Sequence, residues 1–369
     1  MDTTINFFNT TITKKGLECV NQTLKSGRIS AGVVADNFEK KLSDYGLINP
    51  VTLNSGTVTM HLALIASGVG TGDEVIIPAQ TFIATGLAVL YVGAKPIFAD
   101  INLSDGNIST ESIRLKITEK TKAIIPVHWG GYPCDMDEIY KIAKEFNLSV
   151  IEDAAHAFGS TYKGNLIGTI SRFTSFSFQA IKHLTTGDGG ALCCKNIEDY
   201  NLVKRLRWFD IDRENSKMGV LGEREYDAKT VGFKYHMNDI SASLGIGNLE
   251  KINLKLERIK SVAQHYKNEL NNINGLTLMN YKKNRQSSYW LFPLIVENRK
   301  EFIVKMKSNN IPVSVVHLGI DKNSIFGGVN YELINQRIFD ENQIHIPIHD
   351  NLTDENINYI VKTIKQGWN

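Results

Sequence analysis

No stretch of this chain reaches the about 20 consecutive apolar residues that a membrane-spanning helix needs. Residues 1–16 contain no long apolar run either, which argues against a secretory signal peptide. Charge of one sign is not in excess. Lys and Arg number 41 against 39 Asp and Glu, a formal net charge of +2. There is accordingly no global basic field to draw nucleic acid and no acidic tail. No basic helix-turn-helix segment is present. Cysteine is scarce: Cys19, Cys134, Cys193 and Cys194 make no CxxC pair and no His/Cys cluster with zinc-ligand spacing. Cys193 and Cys194 adjoin in a strand-like run, so they are expected on opposite faces of a sheet. A reduced, cytoplasmic protein is the simple expectation. Internal repeats and low-complexity segments are also lacking.

What is present is the composition of a water-soluble globular protein, 42% hydrophobic and 22% charged. A chain of 369 residues suits one large domain and a smaller one. Helical and strand patterns alternate from about residue 34. Val34, Phe38, Leu42 and Tyr45 recur at helical spacing before Gly46. Val51–Leu53 reads as a buried strand, and Met60, Leu64 and Ile65 lie in the helix that follows. Strands are expected at Glu74–Ile77, Pro96–Ala99, Lys122–Val127 and Leu148–Ile151, with helices at Ile83–Val92 and Met136–Phe146. This alternation predicts an α/β fold with a mostly parallel central sheet flanked by helices. Asn238–Asn274 reads as an interrupted linking helix. Ser288–Val296, Val313–His317 and a terminal helix Asp354–Lys365 predict a smaller C-terminal α+β domain. The expected division is 1–250 and 251–369.

Ligands in such sheets gather beyond the carboxyl ends of the strands. Chemistry is therefore sought at Asn54-Ser55-Gly56-Thr57, Gln80-Thr81-Phe82, His128–Gly131 and Glu152-Asp153. The richest segment is Phe173–Cys194. An alternating strand carries Ser175, Phe176, Ser177 and Phe178. Lys182 follows a short spacer, and then comes the turn Thr185–Gly190. Glycines let backbone approach a bulky planar ligand. A lysine there can form a Schiff base if burial or a cationic neighbour lowers its pKa; spacing alone equally describes a surface lysine. Asp153, at a strand end, suits a protonated pyridine nitrogen or an ordinary helix cap. His156 suits a ring oxygen or a polar slot in the core. Gly56 and Thr57 begin a helix whose free N–H groups suit a phosphate, to which Ser177 can add a hydroxyl; an ordinary cap explains them as well. Phe82 can stack on a flat ring or fill a core.

Together these stretches resemble the sugar-nucleotide aminotransferases of the DegT/StrS family, which have the aspartate-aminotransferase fold (fold type I of the pyridoxal-phosphate enzymes). The matching segments run in the family's order from Lys25-Ser26-Gly27 through Gly72–Pro78, Gly93–Pro96, His128–Gly131, Glu152–Ala157, Ser175–Phe178 and Lys182 to Thr186–Gly190. Ile346–His349 adds a weaker match near the end.

The resemblance implies pyridoxal 5'-phosphate as cofactor and L-glutamate with a nucleotide-linked keto sugar as substrates. By position, Lys182 matches the Schiff-base lysine, Asp153 the carboxylate under the ring nitrogen and His156 the residue beside the ring oxygen. Phe82 matches the stacking aromatic, and Gly56, Thr57 and Ser177 match the phosphate cradle. The family is a homodimer with shared active sites. Phe233–Met237 lies where the partner loop is expected, with Lys234 where many members have Asn. Asp188 stands where Glu is usual. Relatives with His for the lysine are dehydratases, and the presence of Lys182 argues against that branch. A non-catalytic binding module on the same fold is the third reading.

Leu206-Arg207-Trp208 through Asp212-Arg213 and Val315–His317 with Phe326 resemble members acting at C4. They favour a viosamine-type product on UDP or dTDP, with a perosamine-type GDP sugar, or amination at C3 on the same scaffold, next. Arg28 and His317 are the candidate sugar or diphosphate contacts.

Overall fold

The computed structural model describes residues 4–213 and 215–368. Seven strands form the central sheet: β1 Pro50–Leu53, β2 Glu74–Pro78, β3 Lys95–Ala99, β4 Thr121–Ile124, β5 Ser149–Asp153, β6 Phe173–Ser177 and β7 Gly190–Cys194. Their order is β1-β7-β6-β5-β4-β2-β3. Strands β2 to β6 run parallel, whereas β7 is antiparallel to both β1 and β6. Helices α1 Lys14–Ser26, α2 Val33–Tyr45, α3 Gly56–Ala66, α4 Ile83–Tyr91 and α5 Met136–Glu145 accompany the sheet.

Both faces of the sheet are covered, so neighbouring strand residues enter different cores. Ile76, Phe176 and Cys193 pack with Phe38 and Ile139 on one side. Val75, Ile77, Phe173 and Cys194 pack with Leu62 and Val89 on the other. The two adjacent cysteines thus face apart, as their spacing predicts. The α2 helix buries Phe38 and Leu42 and ends at Gly46, whose φ of 116° a side chain would strain.

Two expectations need correction. The strand expected to reach Val127 ends at Ile124. Pro126 has no N–H for a ladder, and Val127 keeps only an isolated bridge to Asp153. This early end lets His128 turn inward toward β5. Val313–His317 is not a strand either: only Ser314 bridges, to His345, and Val316 is held at a φ of 52°. That left-handed position is strained for a β-branched residue.

The linking helix breaks as expected, into α6 Asp239–Leu249 and α7 Ile252–Glu269. The C-terminal sheet is β8 Leu276–Leu278, β9 Phe292–Val296 and β10 Gln343–Ile346, with β9 central. It packs with α7 and α8 Asp354–Lys365 in a third core that includes Tyr266, Phe292, Phe302 and Ile360. We propose the break between α6 and α7 as the domain boundary, although Ile5, from the start of the chain, also enters this third core. Among the described residues no helix is long and apolar enough to cross a membrane.

Candidate active site

A cavity of about 330 Å³ opens where the carboxyl ends of β1, β2, β5 and β6 meet the start of β7. Residues from the C-terminal part, Trp290, Val316 and His317, close its far side. Asp153, the last residue of β5, reaches its floor. One carboxylate oxygen accepts the Thr85 hydroxyl at 2.8 Å, and the other accepts the Ala155 N–H at 3.1 Å. Thr85 is in turn 2.7 Å from the Thr81 hydroxyl. Burial raises the Asp153 pKa against those hydrogen bonds and the Lys182 charge. The carboxylate therefore sits where a cationic partner in the cavity stabilises it.

Behind Asp153 lies its neighbour Glu152. The shortened β4 lets His128 Nε2 lie 2.7 Å from Glu152 Oε2, with both groups buried. His128 Nδ1 accepts the Cys134 N–H, so Nε2 carries the proton it gives to Glu152. The backbone is tied as well: the Asp153 N–H donates to the Pro126 carbonyl, and the His128 N–H donates to the Asp153 carbonyl.

Lys182 stands in the turn after β6. Its N–H donates to the Gln179 carbonyl, and its amine enters the cavity 3.6 Å from the centre of the Trp290 ring. Burial brings the amine down to about 7, against the upward pull of Asp153. At neutral pH a substantial share is uncharged and nucleophilic.

The helix start at Gly56 forms one end of the cavity. Ser55 caps α3, its hydroxyl accepting the Val58 N–H. A Cβ on Gly56 would meet Ser177 Cβ at 2.8 Å, and one on Gly190 would meet the Phe176 carbonyl at 2.6 Å. Both glycines are thus required by close approach, and Thr57 and Ser177 line the same end. Phe82, 53% exposed, presents its ring at the opening, 5.2 Å from His317. Burial, with the nearby Lys182 charge, lowers His317 to about 4 and holds His156 well below its usual value. Both imidazoles are neutral at pH 7.

The structure therefore gathers Gly56, Thr57, Phe82, Asp153, His156, Ser177, Lys182 and His317 around one space. Arg28 and Lys234 are not among the lining residues. Arg28 is exposed in the turn after α1, and Lys234 is exposed on a segment bridged to Trp208. Arg207, from the stretch expected to bear on the keto position, instead pairs with Glu39 and donates to the Thr52 carbonyl. Sequence reasoning missed Thr85, which reaches Asp153 from α4, and Trp290. A Thr at the first turn of an apolar helix and a Trp before a strand carry no local chemical signature.

A flat phosphorylated pyridine aldehyde fits these residues. His156 lines the cavity, and its Nδ1 is buried without a hydrogen-bond partner. Asp153 is a buried carboxylate suited to a ring N–H⁺, Lys182 is an amine with a lowered pKa, and the glycine-framed end offers N–H groups to a phosphate. The fold and this site define a pyridoxal-phosphate enzyme of the aminotransferase kind. Residues 10–365 match the DegT/DnrJ/EryC1/StrS aminotransferase family. The chain is 37% identical over 299 residues to GDP-perosamine synthase of Escherichia coli O157:H7, covering 80% of this chain and 79% of the relative. The crystal structure of AtS13 from Actinomadura melliaura superposes with a TM-score of 0.95 at 31% identity, covering 99% of each chain. A Streptococcus pneumoniae protein solved in its PLP form superposes with a TM-score of 0.90 at 31% identity, covering 98% of each. The chain belongs to the DegT/DnrJ/EryC1/StrS aminotransferase family, whose members depend on pyridoxal phosphate and include sugar-nucleotide aminotransferases.

Proposed function

We propose that this enzyme moves the amino group of L-glutamate to C4 of a 4-keto-6-deoxyhexose carried on a nucleoside diphosphate. The observation that carries the reading is the convergence of Lys182 and Asp153 on one cavity, where burial brings the amine down to about 7. Bound pyridoxal phosphate supplies an electron-withdrawing ring that stabilises charge on the amino acid's α carbon.

The protein supplies the rest. Asp153, held by Thr85, keeps the ring nitrogen protonated. Gly56, Thr57 and Ser177 would hold the phosphate, and His156 and Phe82, which line the same cavity, would hold the ring. Lys182 would take the α proton at its Nζ and pass it to the cofactor within the same half-reaction, and would run that transfer in reverse toward the sugar carbon in the second. The neutral His317 at the opening is placed to hydrogen-bond the incoming sugar.

The sequence features favour a viosamine-type product on UDP or dTDP. The similarity to a GDP-perosamine synthase favours a second reading, a perosamine-type GDP sugar. We take the working form to be a homodimer in the cytoplasm. Support for the dimer comes from an apolar arm that a monomer leaves in water: Met218, Val220, Leu221 and Val231 are exposed there. Lys234 directly follows this arm, and we assign it to the partner subunit's phosphate site.

The test is turnover of purified protein with glutamate and a panel of UDP-, dTDP- and GDP-linked keto sugars, products being identified by mass and NMR. Ping-pong kinetics and a 4-amino product are expected. A sequential pattern, or amination at C3, would overturn the assignment.

A further inference from the structure

Trp290 contributes to the cavity from the C-terminal part of the chain, and three contacts fix it against the lysine turn. Its indole N–H donates to the Ile181 carbonyl at 2.9 Å. The His156 ring stacks on it at 3.8 Å with planes 15° apart, and Phe8 stacks at 5.3 Å and 22°. The same turn is held nearby, where His183 Nε2 donates to the Ser288 carbonyl at 2.9 Å. The Lys182 amine lies 3.6 Å from the Trp290 ring centre.

The groups that face this amine leave little else to stabilise its charge. Asp153 acts on it through space without a hydrogen bond. Burial keeps His156, His317 and His183 neutral, and a neutral imidazole offers no counter-charge. A desolvated ammonium over an indole face is the strongest of the common cation–π pairs.

We propose that Trp290 is a positioning residue for the reaction: its indole face is the resting place of the Lys182 ammonium whenever that amine is not joined to the cofactor. During turnover Lys182 must hold a proton taken from the donor's α carbon until it is passed on. The indole favours that charged form at this spot, and its tie to Ile181 keeps platform and amine in register. The inference rests on Lys182 being the cofactor lysine.

The test uses the cofactor-free protein, so that activity is not the readout. Labelling of Lys182 by trinitrobenzenesulfonate is followed against pH by peptide mass, which gives the midpoint of the amine's titration. Wild type is compared with Trp290→Phe and Trp290→Leu, and with wild type grown on fluorinated tryptophan. Fluorination weakens the ring's negative face with little change in shape, so this sample keeps the fold even where Leu does not. The chain has four tryptophans, so Trp290→Phe grown on fluorotryptophan is the control for the other three. The midpoint is expected to fall by about one unit in the Leu variant, as loss of a desolvated cation–π contact implies, and by a measurable fraction of that on fluorination. Trp290→Phe should change it less, and fluorination of that variant should change nothing more. Midpoints in the Leu and fluorinated samples that coincide with wild type would overturn the proposal. Borohydride fixation of added pyridoxal phosphate to Lys182 is run alongside. Its failure would instead overturn the reading of the lysine itself.

Discussion

The Thr85 hydroxyl donates to Asp153 Oδ2 at 2.8 Å, in a setting where both residues are buried. A hydrogen bond to a buried carboxylate contributes about 1.5–3 kcal/mol. Thr85→Val should push Asp153 further toward its neutral form and weaken its hold on a protonated ring. Cofactor affinity should fall roughly tenfold or more, and Thr85→Ser should keep most of it. Absorbance titration of the apoprotein with pyridoxal phosphate measures both.

Lys182→Ala should abolish turnover by removing the group that carries the proton. The variant should fold normally, since the amine makes no structural hydrogen bond inside the turn. Substantial residual turnover with glutamate and a keto-sugar nucleotide would show that another group is the base.

The Lys182 amine titrates near 7 when folded, against an ordinary value of 10.5. Its neutral form is the base, so the rate of proton transfer should rise with pH through about 7. For stability the sign follows from proton counting. Between about 7 and 10.5 the unfolded chain binds the proton that the folded apoprotein has lost, so stability rises with pH across that window. Below about 7 both states are protonated and the burial cost is felt in full. Lys182→Met lacks this titration. The melting-temperature difference between wild-type and Met apoproteins should therefore move in favour of wild type from pH 7 to pH 10.

A methyl group at Gly190 would press on the Phe176 carbonyl at 2.6 Å and on the Gly56 N–H at 2.9 Å, both backbone atoms. Neither can swing aside as a flexible side chain would. Gly190→Ala should cost about 1–3 kcal/mol of stability and weaken binding of the cofactor's phosphate. Thermal melting with and without pyridoxal phosphate should show a lower melting point and a smaller gain on adding the cofactor.

His128→Ala should leave the Glu152 carboxylate buried without its nearest donor, at a cost of about 3 kcal/mol. The Thr174 and Tyr140 hydroxyls, at 3.3 and 3.4 Å, are too long to make up the loss. Adding Glu152→Gln should restore part of the stability, because the charge is then gone. Urea melts of the two variants check this.

Much of the sheet is legible in the sequence because its strands are buried on both faces and separated by amphipathic or apolar helices. Val75–Ile77 and Ile151 can be read from neighbours alone. The carboxyl-end rule then points to Asp153 and Ser177 from residue order and strand pattern. Val313–His317 misleads because its apolar alternation resembles a strand, while a left-handed Val316 depends on packing around His317. Trp290 and Thr85 are invisible for a related reason. Each acts on a residue more than 60 positions away, and nothing beside it in sequence announces the meeting. Arg28 and Lys234 show the converse: a pattern can mark a residue whose own chain does not bring it to the cavity.

The first residues of the chain have a further consequence, for the order of assembly. Asn6 accepts from His349, Thr11 donates to Asp350, and the Thr10 hydroxyl donates to the Ala180 carbonyl beside the lysine turn. Residues 6–11 thus have no complete seat until His349 and Asp350 are in place. The central sheet can assemble before then, yet the wall that includes Phe8 and Trp290 closes only when these distant segments meet.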